Sequence, residues 1–275
     1  MTEKLPEYRR YYAQLLMQKL GLTGDEALRQ AFQTVPREAF LGRGPWMVAD
    51  LQGGYVESPT DNPAFVYQDI LFALIPEKGI NNGSPSLHAN NIANLNISRG
   101  ESITHIGAGT GYYTAILAEL TGANGVVTAY EYEPSLVEVG REPLKHWPQI
   151  SIHQGSVFDT PLPPSDVIYV NAGTPQVETA WVHQLRDGGR LLFPLICSNG
   201  HGVMLMVLRR GNDYYASVIS RCHFIGCIGA HNEQASKNLE AMFRAAKADT
   251  ITRLYLSAPA RGQTALLSGD DWYLC

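Results

Sequence analysis

The sequence predicts an α/β fold: a doubly wound, mostly parallel sheet with an antiparallel hairpin at one edge. Helices precede it and an α+β extension follows. Three observations predict this. Residues Thr104 to Gly111 read T-H-I-G-A-G-T-G; an apolar run, Ile103 to Ile106, enters and a helix-forming stretch, Tyr112 to Leu120, leaves. About twenty residues further on, a β-rich run from Gly125 to Tyr130 ends in Glu131. Beyond it, short apolar runs alternate with helical patterns. Strand, glycine turn, helix, strand, acid is the plan of a Rossmann-like nucleotide-binding βαβ unit.

Taken in order, Leu5 to Leu20 reads as a helix, because Leu5, Tyr8, Tyr12, Leu15 and Leu16 recur at helical spacing and Gly21 can end it. Asp25 to Phe32 is a second, with Thr23 or Asp25 near its cap, broken by Val35-Pro36-Arg37. Gly42 to Pro63 is rich in Gly, Pro and Asp and reads as a long loop, which in a compact domain is usually functional or mobile. A second polar loop, Gly79 to Pro85, leads into a helix to about Leu95, with Ser84 as N-cap and Pro85 in the first turn. Strands follow at Ser102–Ile106 and Val126–Glu131 around the Tyr112–Leu120 helix. A helix over Ser135–Trp147 is expected to break near Gly140 and Pro143. Ile150–His153 and Val167–Val170 are strands, Gln176–Leu185 a helix, and Arg186-Asp-Gly-Gly189 a turn into a strand at Arg190–Leu195. Val203–Leu208 and Tyr214–Ser220, separated by R-R-G-N-D, form the hairpin. After Cys222 the pattern changes: a helix over Glu233–Ala248, then short strands at Leu254–Leu256 and Trp272–Leu274. The expected division is a helical and loop region at 1–78, a nucleotide-type domain at 79–221 and an extension at 222–275.

The 275 residues suffice for a full core. A net charge of −5 with no long basic run excludes the electrostatic footprint of a nucleic-acid binder. No apolar stretch approaches the roughly 20 residues of a membrane span. The polar start, M-T-E-K-L-P-E-Y, is unlike a secretory leader, so a cytoplasmic location is expected. Cys197, Cys222, Cys227 and Cys275 are scattered; without a second pair beside Cys222 and Cys227, no metal site is expected, and the cysteines read as reduced and packed.

The glycine spacing separates two kinds of cofactor. A dinucleotide turn needs G-x-G-x-x-G, but counting from Gly107 or from Gly109 puts Tyr112 or Thr114 at the third position. Gly107, Gly109 and Gly111 instead resemble motif I of class I S-adenosylmethionine (SAM) methyltransferases. Further segments resemble the protein-L-isoaspartate O-methyltransferase family in that family's order. Val35-Pro-Arg-Glu-Ala-Phe40 is similar to its V-P-R-x-x-F signature. Gly83-Ser-Pro-Ser-Leu-His-Ala89 is similar to its S-x-P segment, His105 to Ala115 to its motif I, and Gln184 to Pro194 to its Q-L-x-x-G-G-R-L-x-x-P motif.

That resemblance implies a SAM-dependent O-methyltransferase acting on a carboxylate of a peptide or protein, isoaspartyl in type. It implies that Gly107, Ala108, Gly109, Gly111 and Tyr112 wrap the methionine part of the cofactor and that Glu131 holds the ribose. Ser156, with Val157, stands where the family has an Asp for the adenine amino group. Position 105, usually acidic, is His105. Gly83 aligns with the family's active-site Ser, which leaves Ser84 as the nearest hydroxyl and candidate catalytic residue, with helix capping as its simpler role. Asn81, Asn82, Gly83 and Thr174 are candidate substrate contacts. Asn171 is a candidate cofactor contact, because ligands in open α/β sheets bind outside the carboxyl ends of strands. His88 is expected to be packed or exposed rather than catalytic. Trp46, Tyr55 and Tyr67 suit either a cover for the site or satellite core. The departures at 83, 105 and 156 keep two alternatives open: a family-like enzyme redirected to a modified peptide or a small acid, and a non-catalytic scaffold. The tail leaves room for a homodimer interface, a lid or edge protection.

Overall fold

The structure, a computed structural model, describes residues 4–50, 52–258 and 262–275. Met1–Glu3 of the polar start and Leu51 of the Gly42–Pro63 loop lie outside the described residues.

Local chemistry accounts for most element boundaries. Helix α1 (Leu5–Leu20) begins with a proline in its first turn and stops at Gly21, in the left-handed region. Its buried face is Tyr12, Ala13, Leu16 and Met17, while Tyr8 and Leu15 of the expected stripe are exposed. Helix α2 (Glu26–Thr34) is capped by Asp25, whose carboxylate accepts the Leu28 amide at 2.9 Å. The expected loop contains a small hairpin of β1 (Met47–Ala49) and β2 (Tyr55–Glu57). Strands β3 (Ala73–Ile75) and β4 (Ile80–Asn81) pair antiparallel before α3 (Pro85–Leu95). Next come β5 (Ser102–Ile106), α4 (Tyr112–Thr121), β6 (Val126–Glu131), α5 (Pro134–Leu144), β7 (Ile150–Gln154) and β8 (Ser165–Val170). Helix α4 is buried at every position except Glu119, as an all-round apolar helix must be. Helix α5 runs unbroken through Gly140 and ends just past Pro143, which has no amide to donate to the carbonyl four residues back.

Two expectations fail between residues 176 and 190. Only Thr179–Val182 (α6) is helical, and Arg186–Gly189 does not turn the chain but bulges within one long strand, β9 (Leu185–Ile196). The ladder to β8 jumps from Ser165↔Leu185 to Val167↔Arg190, and Gly188 takes up the left-handed φ of 77°. Strands β10 (His201–Arg210) and β11 (Asp213–His223) form the expected hairpin, longer at both ends. Helix α7 (Glu233–Arg244) is shorter than expected and is followed by β12 (Arg253–Tyr255), β13 (Leu267–Ser268) and β14 (Tyr273–Leu274).

Compactness divides the chain into two units: Met1–Glu101 with Ala108–Gly155, and Ser102–Gly107 with Ser156–Cys275. In the first, β6 and β7 are parallel, and the aromatic cluster of Tyr12, Phe32, Phe40 and Tyr112 joins α1, α2 and α4. Arg37 is fully buried there. Its guanidinium donates to the carbonyls of Val66, Gln68 and Ile70 at 2.7, 2.6 and 2.9 Å and lies over the rings of Tyr12, Phe72 and Tyr112. In the second unit the strands run β13-β14-β12-β11-β10-β9-β8-β5. Strands β5, β8 and β9 are parallel and the rest antiparallel. The fold class is the expected α/β, with the antiparallel part extended: β12, β14 and β13 continue the sheet outward from the hairpin and cover its edge.

Candidate functional site

The glycine turn begins where β5 ends. Gly107, Gly109 and Gly111 all take left-handed φ values of 74°, 59° and 93°. Gly111 is also crowded: a Cβ there would meet Leu144 Cδ1 at 2.8 Å, and its φ of 93° favours glycine at the entry to α4. Glu131, the last residue of β6, closes the turn. Its Oε2 accepts the Gly109 amide at 2.6 Å and its Oε1 accepts the Glu133 amide at 2.9 Å. Only 8% of Glu131 is exposed, and burial raises its pKa above the ordinary value even though backbone amides of Glu133, Gly109 and Tyr132 favour the charge. Glu133, itself buried, receives the ammonium of Lys78 on both oxygens at 2.8 and 2.7 Å. Ala108 is tied by its amide to the Tyr130 carbonyl at 3.1 Å. The ring of Tyr112 belongs to the aromatic cluster, and burial holds its phenol well above the ordinary pKa.

The second loop of this unit is built by side chains folding back on the backbone. Asn81 Oδ1 accepts the Gly83 amide at 2.9 Å, while its Nδ2 donates to the Tyr55 hydroxyl at 3.2 Å. Asn82 Oδ1 accepts the Phe72 amide at 2.9 Å, and Asn82 Nδ2 is buried with no partner. Gly83 has φ +71°, and a Cβ on it would fall 2.0 Å from His88 Nε2. His88 is buried and stacks on Tyr113 at 3.8 Å, and the Tyr113 hydroxyl donates to the Gly83 carbonyl at 3.4 Å.

Ser84 stands at the expected N-cap position of α3, but its side chain does not do the capping. It makes no capping hydrogen bond; its hydroxyl lies 3.4 Å from Asp69 Oδ1 and 3.1 Å from Ser86 Oγ. The cap is Asp69, whose Oδ1 accepts the Ser86 amide at 2.8 Å and whose other oxygen is paired with Lys19. Burial alone would raise the Asp69 pKa, but the hydrogen bonds from Lys19 and Ser86 hold it below the ordinary value.

In the second unit, Asn171 follows the last residue of β8 and bonds through its amide to the Ile106 carbonyl at 2.8 Å. A Cβ on Gly107 would come within 3.2 Å of the Asn171 carbonyl carbon. Asn171 Nδ2 meets His105 Nε2 at 2.8 Å, and Asn171 Oδ1 is buried without a partner. His105 is fully buried, which pushes its pKa down to about 3, so the ring is neutral at pH 7. Thr174 is buried, with its hydroxyl donating to the Gln176 carbonyl at 2.7 Å and its amide to Pro194. Ser156 Oγ accepts the Phe158 amide at 3.2 Å inside its own turn, and Val157 is buried beside it.

The structure thus joins Gly109 to Glu131 and Asn81 to Gly83 in one unit, and Gly107 to Asn171 in the other. The hydroxyls of Ser156 and Thr174 bond within their own segments. Sequence reading missed Asp69, Lys78 and Glu133; of these only Glu133 carried a signal, as the second acid of Glu131-Tyr-Glu133. Trp46 and Tyr67 are buried and packed against Phe72 and Tyr12, and Tyr55 supports Asn81. Two cavities, of about 810 Å³ beside Trp147 and Glu119 and of about 430 Å³ beside Cys197 and His223, are lined by none of the three glycines. Among the described residues no cluster of metal ligands occurs and no helix is long and apolar enough to cross a membrane; the four cysteines are free.

The profile described as protein-L-isoaspartate(D-aspartate) O-methyltransferase matches residues 13–232. The Methanothermobacter thermautotrophicus protein-L-isoaspartate O-methyltransferase is 28% identical over 81% of this chain and 96% of its own. The Thermotoga maritima protein of that name is 27% identical over 66% of this chain, and the match spans about half, 53%, of its length. A solved protein-L-isoaspartate O-methyltransferase superposes with a TM-score of 0.65 at 23% identity, over 84% of this chain and 69% of its own. A Plasmodium falciparum structure, described as a putative protein-L-isoaspartate O-methyltransferase in complex with S-adenosyl-L-homocysteine, gives 0.63 at 18% over 80% and 97%. These two likenesses show a shared fold.

Proposed function

We propose a function for this chain from the premise that it belongs to the protein-L-isoaspartate(D-aspartate) O-methyltransferase family. It is a SAM-dependent O-methyltransferase whose acceptor is a carboxylate of a peptide or protein, isoaspartyl in type. The observation that carries this is the closed glycine turn: Glu131, buried and tied to the Gly109 amide, is a carboxylate fixed at the end of β6, where it can accept both hydroxyls of a ribose. The orphaned Asn171 Oδ1 beside Gly107 is a second polar atom that a ligand would satisfy. The closed turn and that orphaned oxygen support a cofactor here; we assign Gly107, Ala108, Gly109 and Gly111 to its methionine part, Glu131 to the ribose, and Ser156 and Val157 to the adenine.

The cofactor, when bound, supplies an electrophilic sulfonium methyl. A carboxylate acceptor is already ionised at pH 7, so the chain needs no general base, and its work is to hold the acceptor oxygen in line. The unpaired, buried Asn82 Nδ2 is a donor suited to such a carboxylate, next to Asn81 and Gly83. Ser84 is at most an orienting hydroxyl, since it is engaged with Ser86 and Asp69. Thr174 supports the acceptor side through the backbone it braces. We place the protein in the cytoplasm, with the tail available for a homodimer contact.

One observation favours a second reading, an acceptor other than an isoaspartyl residue. Position 83, where the resemblance puts the active-site serine, cannot carry a side chain with His88 where it stands. Incubation with an isoaspartyl peptide and methyl-labelled SAM tests both. Transfer of label establishes the first reading. Binding of S-adenosylhomocysteine without transfer establishes the second, and no binding to folded protein leaves only the scaffold.

A further inference from the structure

We infer that Asn171 Oδ1, aimed by His105, accepts the ammonium group at the methionine end of the cofactor, in place of the carboxylate that the family resemblance puts at position 105. This rests on the cofactor reading above and adds a specific atom to it.

The geometry begins with two strand ends. Ile106 pairs with Val170, so Gly107 and Asn171 are the next residues out of the β5–β8 ladder, and they stand side by side. His105 lies one step back on β5, opposite Tyr169, whose ring stacks on the imidazole at 5.5 Å and 8°. That stacking fixes the ring plane. Full burial keeps the imidazole neutral, since its pKa is pushed down to about 3. A neutral imidazole has one bare nitrogen, and here Nε2 takes the Asn171 Nδ2 hydrogen at 2.8 Å. With its nitrogen on His105, the amide turns its oxygen away from the ring.

That oxygen is buried and unpaired. An acceptor left so needs a donor, and a ligand carboxylate, which only accepts, cannot supply one. The cofactor's ammonium can, and it belongs to the part of the ligand that the turn beginning at Gly107 is expected to wrap. His105 is thus a positioning residue and Asn171 the binding one. A neutral amide holds an ammonium less strongly than a carboxylate, because the hydrogen bond is charge-assisted from one side only. Recognition of the amino group is therefore present in this chain, but weakened.

Calorimetric titration with S-adenosylhomocysteine and with its desamino analogue, which lacks only the amino group, tests this on the folded protein. We expect the wild type to prefer S-adenosylhomocysteine by about tenfold, one hydrogen bond's worth. Asn171→Ala should erase that preference by weakening S-adenosylhomocysteine alone, and Asn171→Asp should widen it. Equal binding of the two ligands by the wild type, or equal weakening of both in Asn171→Ala, overturns the inference and leaves the cofactor reading standing. Binding of neither ligand by the wild type sinks both. Nitrogen-15 spectra of the wild-type imidazoles need no variant: His105 should be unprotonated at Nε2 and should shift on adding S-adenosylhomocysteine more than on adding the analogue. A proton on Nε2 reverses the amide and overturns the assignment.

Discussion

The imidazole of His88 occupies the space that a side chain on Gly83 would need: Nε2 lies 2.0 Å from the ideal Cβ position. Gly83 also has φ +71°, which a side chain resists by roughly 1–2 kcal/mol. Gly83→Ser is therefore expected to lower stability by about 2–3 kcal/mol without creating an active-site hydroxyl. Adding His88→Ala should recover part of that loss. Urea unfolding of the single and double variants checks it; additive losses would mean that the two side chains do not compete.

Glu131 should control cofactor affinity through its charge. Glu131→Gln keeps the shape and is expected to weaken S-adenosylhomocysteine binding at least about tenfold by calorimetry. Burial raises the Glu131 pKa, so it takes up a proton at higher pH than an ordinary glutamate, at about 4.3, would. Wild-type affinity should accordingly decline on acidification before that point, and the affinity of Glu131→Gln should stay flat over the same interval.

Asp69 caps α3 from outside the helix, and Asp69→Asn is expected to cost about 1 kcal/mol at pH 7. The folded-state pKa of Asp69 lies below the unfolded one, so its contribution is complete above the unfolded value and is lost as pH falls through the folded value. Unfolding free energies measured from pH 7 to pH 3 should converge for the two proteins at the acid end. Curves that stay parallel would assign the cap elsewhere.

Lys78 neutralises the buried Glu133, and the pair ties the β3–β4 hairpin to the turn that holds Glu131. Lys78→Ala leaves that carboxylate without its cation and should cost about 1–2 kcal/mol, whereas Lys78→Arg should cost little. Because Lys78 is half exposed, the loss should shrink in 1 M salt, where the Debye length is about 3 Å. Thermal unfolding at low and high salt separates this from a loss of packing.

Much of the fold was legible in the chain because local chemistry decided it. The strands Ser102–Ile106 and Val126–Glu131 fall where apolar runs meet glycine turns, and Asp25 caps the helix it precedes. Distance in sequence defeated the rest. Ser84 occupies the N-cap as its composition suggests, but Asp69 supplies the capping oxygen from across the loop. Arg186-Asp-Gly-Gly189 has the composition of a turn, but pairing with β8 stretches it into a bulged strand. The candidate site residues divide in the same way. Gly107, Gly109, Gly111 and Glu131 announce themselves by spacing, while the His105–Asn171 hydrogen bond and the filled space above Gly83 exist only once strands and loops are folded.

Arg37 gathers the carbonyls of Val66, Gln68 and Ile70 onto one guanidinium, so three main-chain fastenings of the stretch from 66 to 70 depend on one side chain, beside the side-chain anchors of Tyr67 and Asp69. Losing that side chain would strand all three buried carbonyls at once and weaken the whole stretch together. Cleavage by a small amount of protease should therefore begin there in Arg37→Met, at temperatures where the parallel strands have not yet begun to yield.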